Sequence, residues 1–136
     1  MAASRAPQYG GITALASFAD ISTLALGHHD GTVRILDSKT LVEKTIIRDH
    51  LVSVTAVEFI RPLSEDYVTS ATAEAESIIL LGLDNGAIEI RNLNTKQTRT
   101  LNQHAKSVTS LAISTTGLVA STSLDMDICI WCVVGC

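Results

Sequence analysis

Apolar and polar positions alternate along most of this chain, and the alternation comes in recurring phrases. GGITALAS from Gly10, SVTAVEF from Ser53 and SVTSLAI from Ser107 each set an apolar residue before Thr and continue with small and large apolar residues in turn. A period of two predicts strands. A second phrase follows each first one: LALGHHDGTVRILD from Leu24, LLGLDNGAIEIRN from Leu80 and VASTSLDMDICIW from Val119. In the first two, Asp30-Gly31 and Asn85-Gly86 are tight-turn pairs, because these residues adopt positive φ at little cost. Each phrase therefore predicts a β-hairpin. The third places Asp125-Met126-Asp127 at the turn, a weaker signal at the same place.

The spacings define a repeat. From first strand to turn there are 18, 31 and 17 residues, and from turn to the next first strand 24 and then 23. The unit is about 42 residues, and the second copy carries a surplus of about 13 between Pro62 and Ser77. That stretch, RPLSEDYVTSATAEAES, predicts a surface loop with a helical turn near Glu74 to Glu76. LVEKTIIR and KQTRTL add another short strand after each complete hairpin, which makes four strands per unit. A period near 42 with four short strands points to the blades of a β-propeller. The expected fold is all-β, an incomplete ring of about three blades of four-stranded antiparallel sheets. The boundaries drawn are a lead segment at 1–9, blades at about 10–49, 50–103 and 104–132, and a tail at 133–136.

Composition narrows the class. Apolar residues make up 46% and aromatic ones only 4%, so the core must be aliphatic. Charged residues total 18%, too few for long disordered tails. A net charge of −4 with no basic cluster argues against a nucleic-acid or anionic-membrane partner. The start lacks the apolar run of a secretory signal, and the longest apolar stretch, near Ile78 to Leu83, is too short to span a bilayer. Cys129, Cys132 and Cys136 read as free thiols in a reducing compartment, hence a cytoplasmic or nuclear location.

The third copy resembles the WD40 repeat family. That family joins a His before the first strand, a Ser or Thr in the second, an Asp in the following turn and a Trp in the third strand into one hydrogen-bonded structural chain. The resemblance assigns these roles to His104, Ser123, Asp125 and Trp131. The second copy keeps His50 but has Leu83, Asn85 and Arg91 at the other places. The first keeps Asp30, beside Gln8, His28 and Leu36. The resemblance covers about residues 10 to 132. It implies an interaction platform, with blades completed by a partner chain or by the protein's own copies, unless the chain is a truncated product.

Reactive constellations find little support. His28 and His29 are adjacent, and neighbouring strand residues face opposite sides, so they are poorly placed to share a metal ion. Cys129-Ile130-Trp131-Cys132 lacks a fourth ligand and a helix N-terminus. Ser123, His104 and Asp125 name the parts of a catalytic triad, but no Gly-x-Ser-x-Gly elbow occurs, nor any Gly-rich phosphate loop. No enzyme activity, cofactor or metal is expected. The expected function is a protein–protein interaction scaffold. Its candidate partner contacts are Glu65, Asp66, Glu74 and Glu76 in the long loop, and Arg91, read as an exposed blade edge, a charge paired with an acid such as Glu89 or Asp84, or part of a contacting rim. The alternative is a small-ligand-binding or enzymatic propeller. It would need reactive residues recurring on the inner strand, where Ile-Thr-Ala-Leu, Val-Thr-Ala-Val and Val-Thr-Ser-Leu offer none.

Overall fold

The alternating segments all form strands in the computed structural model, which describes residues 11–18, 22–48, 50–60, 78–114 and 116–132. The described residues contain no helix. The strands are β1 (Ile12–Phe18), β2 (Thr23–His28), β3 (Val33–Asp37), β4 (Glu43–Ile47), β5 (Val54–Ile60), β6 (Ile78–Leu83), β7 (Ala87–Asn92), β8 (Thr98–Asn102), β9 (Val108–Ile113), β10 (Leu118–Ser123) and β11 (Ile128–Cys132). Each pairs antiparallel with its chain neighbour. The result is a first sheet β1-β2-β3-β4, a second sheet β5-β6-β7-β8 and a third sheet β9-β10-β11. The expected four-stranded blades are present in the first two sheets, and the third has three strands among the described residues.

Turn chemistry explains where the strands reverse. Gly31 and Gly86 have φ of +89° and +91°, the left-handed conformation that the Asp-Gly and Asn-Gly pairs predict. Asp30 Oδ1 accepts the Thr32 amide at 2.9 Å, and Asn85 Oδ1 accepts the Ala87 amide at 3.0 Å. In the third sheet Asp125 Oδ1 accepts the Asp127 amide at 2.9 Å, and Met126 takes φ +75°. A second turn type closes the outer hairpins. Asp37 Oδ1 accepts the amides of Lys39 and Thr40 at 2.8 and 3.0 Å; Asn92 Oδ1 accepts those of Asn94 and Thr95 at 2.9 and 3.1 Å.

The three sheets stack face to face, with their first strands β1, β5 and β9 adjoining in that order. Ala25, Val33, Ile35 and Ile47 of the first sheet meet Val57, Phe59, Ile79 and Leu81 of the second in one core. Leu80 and Ile88 of the second meet Val108, Leu111 and Val119 of the third in another. Strand β6 thus sends Ile79 and Leu81 to one side and Leu80 to the other. Being covered on both faces, it carries the longest apolar run in the chain. Each such side chain contributes about 1.5–3 kcal/mol on burial.

Two glycines let the sheets approach closely. A Cβ on Gly27 would stand 2.7 Å from Val54 Cγ1, and one on Gly82 would stand 2.7 Å from Val108 Cγ1. Gly31 and Gly86 likewise meet backbone carbonyls of the next segment, those of His50 and His104. The chain therefore repeats a Gly-x-x-x-Gly pattern at 27–31 and 82–86, once for each joint between sheets.

Candidate functional site

The segment leading into β9 places His104 against the β10–β11 turn. Its Nδ1 lies 3.1 and 3.3 Å from the two carboxylate oxygens of Asp125, and its Nε2 lies 2.8 Å from Ser121 Oγ. A carboxylate only accepts, so Nδ1 carries the proton and Nε2 accepts the Ser121 hydroxyl. One proton on the ring satisfies both contacts. Asp125 also accepts the amides of Ala105 at 3.0 Å and Asp127 at 2.9 Å. Desolvation works to raise the Asp125 pKa. The amides of Asp127 and Ala105, with the hydrogen bond from His104, outweigh it and hold the carboxyl at about 2.

This geometry corrects one assignment. The hydroxyl in the network belongs to Ser121, not Ser123. Ser123 instead donates to the Lys106 carbonyl at 2.9 Å and accepts the Asp125 amide at 3.1 Å. The two serines are two residues apart, so they share a face of β10, and alternation alone does not separate them. A register shift between Thr122 and Ser123 carries the second one out to the turn. Trp131 lies opposite Val119 and packs against the second core, but its buried indole N–H has no hydrogen-bond partner among the described residues. The network therefore ends at Ser121. Ser121, His104 and Asp125 have the connectivity of a catalytic triad, yet the Ser121 hydroxyl is fully buried and no substrate reaches it.

At the joint between the first and second sheets a different polar cluster fills the corresponding space. Leu81 stands where Ser121 does, so His50 has no hydroxyl to bond. Its Nδ1 lies 3.1 Å from the Gly31 carbonyl, and its Nε2 lies 2.5 Å from Glu89 Oε2. Arg91 follows with its guanidinium 3.4 Å from Glu89 Oε1. Both ring nitrogens of His50 face acceptors, and a neutral ring donates through only one. His50, Glu89 and Arg91 thus form one polar cluster around a buried carboxylate. Arg91 is thus neither a solvated edge nor an open rim: its side chain is only 12% exposed. Of the readings the sequence offered for Arg91, the ion pair with Glu89 is the one present, and its charge serves a buried carboxylate.

The remaining candidates fall apart spatially. His28 is buried and His29 exposed, and the described residues hold no cluster of three or more metal-ligating side chains. Cys129 is a free thiol 3.7 Å from the Gln103 carbonyl, whereas Cys132 is disulfide-bonded. The reading of three free thiols is corrected, and with it goes the argument from cysteine to a reducing compartment. Glu65, Asp66, Glu74 and Glu76 lie outside the described residues. Sequence reasoning missed Ser121, the bond of Glu89 to His50, and the capping pair Asp37 and Asn92. The last had a signal, Asp-x-x-Thr at 37–40 and Asn-x-x-Thr at 92–95.

The stretch from β8 to β11 decides the family likeness, because it holds His104, Ser121, Asp125 and Trp131 together. It matches the family model described as WD domain, G-beta repeat, over residues 95–132. Residues 95–132 are a WD40 repeat. No curated protein matches the chain. The WD40 repeat begins in β8, the outer strand of the second sheet, and runs through all three strands of the third, so it ties two neighbouring sheets. No helix of the described residues is long and apolar enough to cross a membrane.

Proposed function

We propose that this chain is a protein-interaction scaffold, a WD40-like platform without catalytic activity of its own. The observation that carries the reading is where the reactive side chains go. Within the WD40 repeat His104, Asp125 and Ser121 bond one another, and at the other joint His50, Glu89 and Arg91 do the same. These groups are committed to one another inside the fold, which leaves loops and rims to meet other molecules. Recognition by such a platform is shape and charge complementarity on a rigid support. The segment between β5 and β6 is the contact we assign, because Glu65, Asp66, Glu74 and Glu76 suit a basic protein surface.

The test is affinity capture with the 136-residue chain beside a variant carrying E65K, D66K, E74K and E76K. We expect the wild-type chain to retain a defined set of proteins and the variant to lose those with basic surfaces. Identical capture by both chains would remove the loop from the reading. Capture no different from a bare matrix would overturn the scaffold function itself.

A further inference from the structure

The β2–β3, β6–β7 and β10–β11 turns share a design, and one of them carries a reactive pair. Asp30, Asn85 and Asp125 stand at the same place in the three turns. In each, Oδ1 accepts the amide two residues on, at 2.9, 3.0 and 2.9 Å. An oxygen is all that this bond uses, and a carboxylate supplies one as well as a carboxamide does. Asp30 shows that the setting favours the charged form. Its carboxyl is held below the ordinary carboxylate range, first by the Thr32 hydroxyl and then by the Thr32 amide. Asn85 is the exception among the three, and Gly86 follows it.

Asn85-Gly86 is the one Asn-Gly pair in the sequence, since Asn92, Asn94 and Asn102 precede Leu, Thr and Gln. A side chain on the following residue hinders attack by that residue's amide on the asparagine, and glycine has none. Asn85 is exposed, so water reaches its carboxamide. Two bonds must break before the pair can react. The Gly86 amide donates to the Leu83 carbonyl at 3.1 Å, and Asn85 Oδ1 is engaged by the Ala87 amide. Reaction therefore starts from the transiently opened turn and is slower in the fold than in the unfolded chain.

We propose that Asn85 is a site at which this protein modifies itself, by deamidation, into two forms that the fold treats differently. The Gly86 nitrogen bonds to Asn85 Cγ, its proton passes to the leaving nitrogen, and ammonia departs. A cyclic imide remains, and a water molecule opens it. Opening at the side-chain carbonyl leaves an aspartate, which keeps the backbone unchanged and gives the turn the carboxylate that Asp30 and Asp125 give theirs. The bond from the Ala87 amide is then charge-assisted. Opening at the main-chain carbonyl leaves an isoaspartate, whose backbone is lengthened and runs through the former side chain. Gly86 has no room for that shift. It lies against the carbonyls of His104 and Lys106, and its own carbonyl accepts the His104 amide at 3.3 Å. The aspartyl form keeps this joint to the WD40 repeat, and the isoaspartyl form loosens it. The proposal is independent of the scaffold reading, since the reaction is followed without any other protein.

The experiment follows the full chain at mildly alkaline pH, native and in guanidinium, by peptide mapping that separates asparaginyl, aspartyl and isoaspartyl forms. Asn85→Gln, whose longer side chain closes such a ring slowly, is the control for reaction elsewhere. We expect conversion at Asn85 to run about tenfold slower in the native chain than in guanidinium. Asn92, Asn94 and Asn102 should stay intact over the same time. Asn85→Asp should melt at or above the wild-type midpoint. After partial conversion and a heat challenge, the aspartyl form should stay in the folded fraction and the isoaspartyl form should leave it. Four results would each overturn the proposal: a native Asn85 still intact once the denatured chain has converted fully, equal conversion at another asparagine, an Asn85→Asp variant that melts below the wild type, or an isoaspartyl form as heat-resistant as the aspartyl one.

Discussion

A hydroxyl two residues from its expected place changes which substitution harms the protein. Ser121→Ala leaves His104 Nε2 facing a buried site without its donor, and an unpaired buried group costs about 1–3 kcal/mol. Ser123→Ala removes a bond near solvent and costs less, about 0.5–1.5 kcal/mol. Urea unfolding of the two variants checks the order, and a larger loss in Ser123→Ala would contradict the geometry. Asp125 gives the network a signature in acid. Its folded pKa, about 2, lies below the ordinary 3.8, so the native state holds the charged form more tightly than the unfolded chain does. The resulting stability is complete above about pH 4 and is lost as the pH falls through 2. Asp125→Asn should therefore flatten the fall of the thermal midpoint between pH 4 and pH 2. Some fall remains, because Asp30, bonded to the Thr32 hydroxyl and amide, and Asp37, bonded to the Thr40 and Lys39 amides, are also held low. An unchanged slope would mean the carboxylate does not bond His104. His104 and Asp125 were legible because they flank elements that the repeat locates. The serine was not, because a period of two treats Ser121 and Ser123 alike. Glu89 was legible as an acid for Arg91, but its bond to His50, 39 residues away, was not, because only the pairing of β5, β6 and β7 in one sheet brings the two together.

Between elements the sequence speaks most clearly through glycine. Asp30-Gly31 and Asn85-Gly86 announced their hairpins, and positive φ at both glycines is the reason. Gly27 and Gly82 carried a message that no local rule reads, since their φ values are ordinary and the demand for them comes from the next sheet. A methyl group at Gly82 would stand 2.7 Å from Val108 Cγ1 and 2.9 Å from Val108 Cβ, atoms that a packed core holds in place. Gly82→Ala should cost about 1–3 kcal/mol by overpacking. Adding Val108→Ala should recover part of that loss, so the double variant is less destabilised than the two single losses summed. Denaturant midpoints for the cycle provide the measurement, and simple additivity would show that the two positions do not meet. The outer hairpins were read less well. Leu41 and Lys96 adopt positive φ of 60° and 63° without glycine, and the turns are fixed by Asp37 and Asn92 instead.

At the scale of the whole chain, a stack of sheets is close to a one-dimensional array whose members are stabilised by their neighbours. The second sheet has a neighbour on each side, so both its faces are buried. The first and third each share one joint. Within a sheet, shelter falls from the inner strands outward: Thr98, Arg99 and Thr100 of β8 are exposed, as are Glu43, Lys44 and Thr45 of β4, whereas β6 is buried almost throughout. Local opening follows the number of buried apolar contacts that must be lost, so protection against hydrogen exchange should follow the same order. The period of about 42 residues announced separate sheets, but it said nothing of which would be central, because that depends on which faces find partners. The amides of β6 should exchange last, through opening of the whole stack, and those of β4 and β8 first. Strands β10 and β11 should fall between, protected by one joint only. A native-state exchange series in increasing denaturant separates these classes. If β11 exchanged as slowly as β6, the number of joints a sheet shares would not set the order of opening.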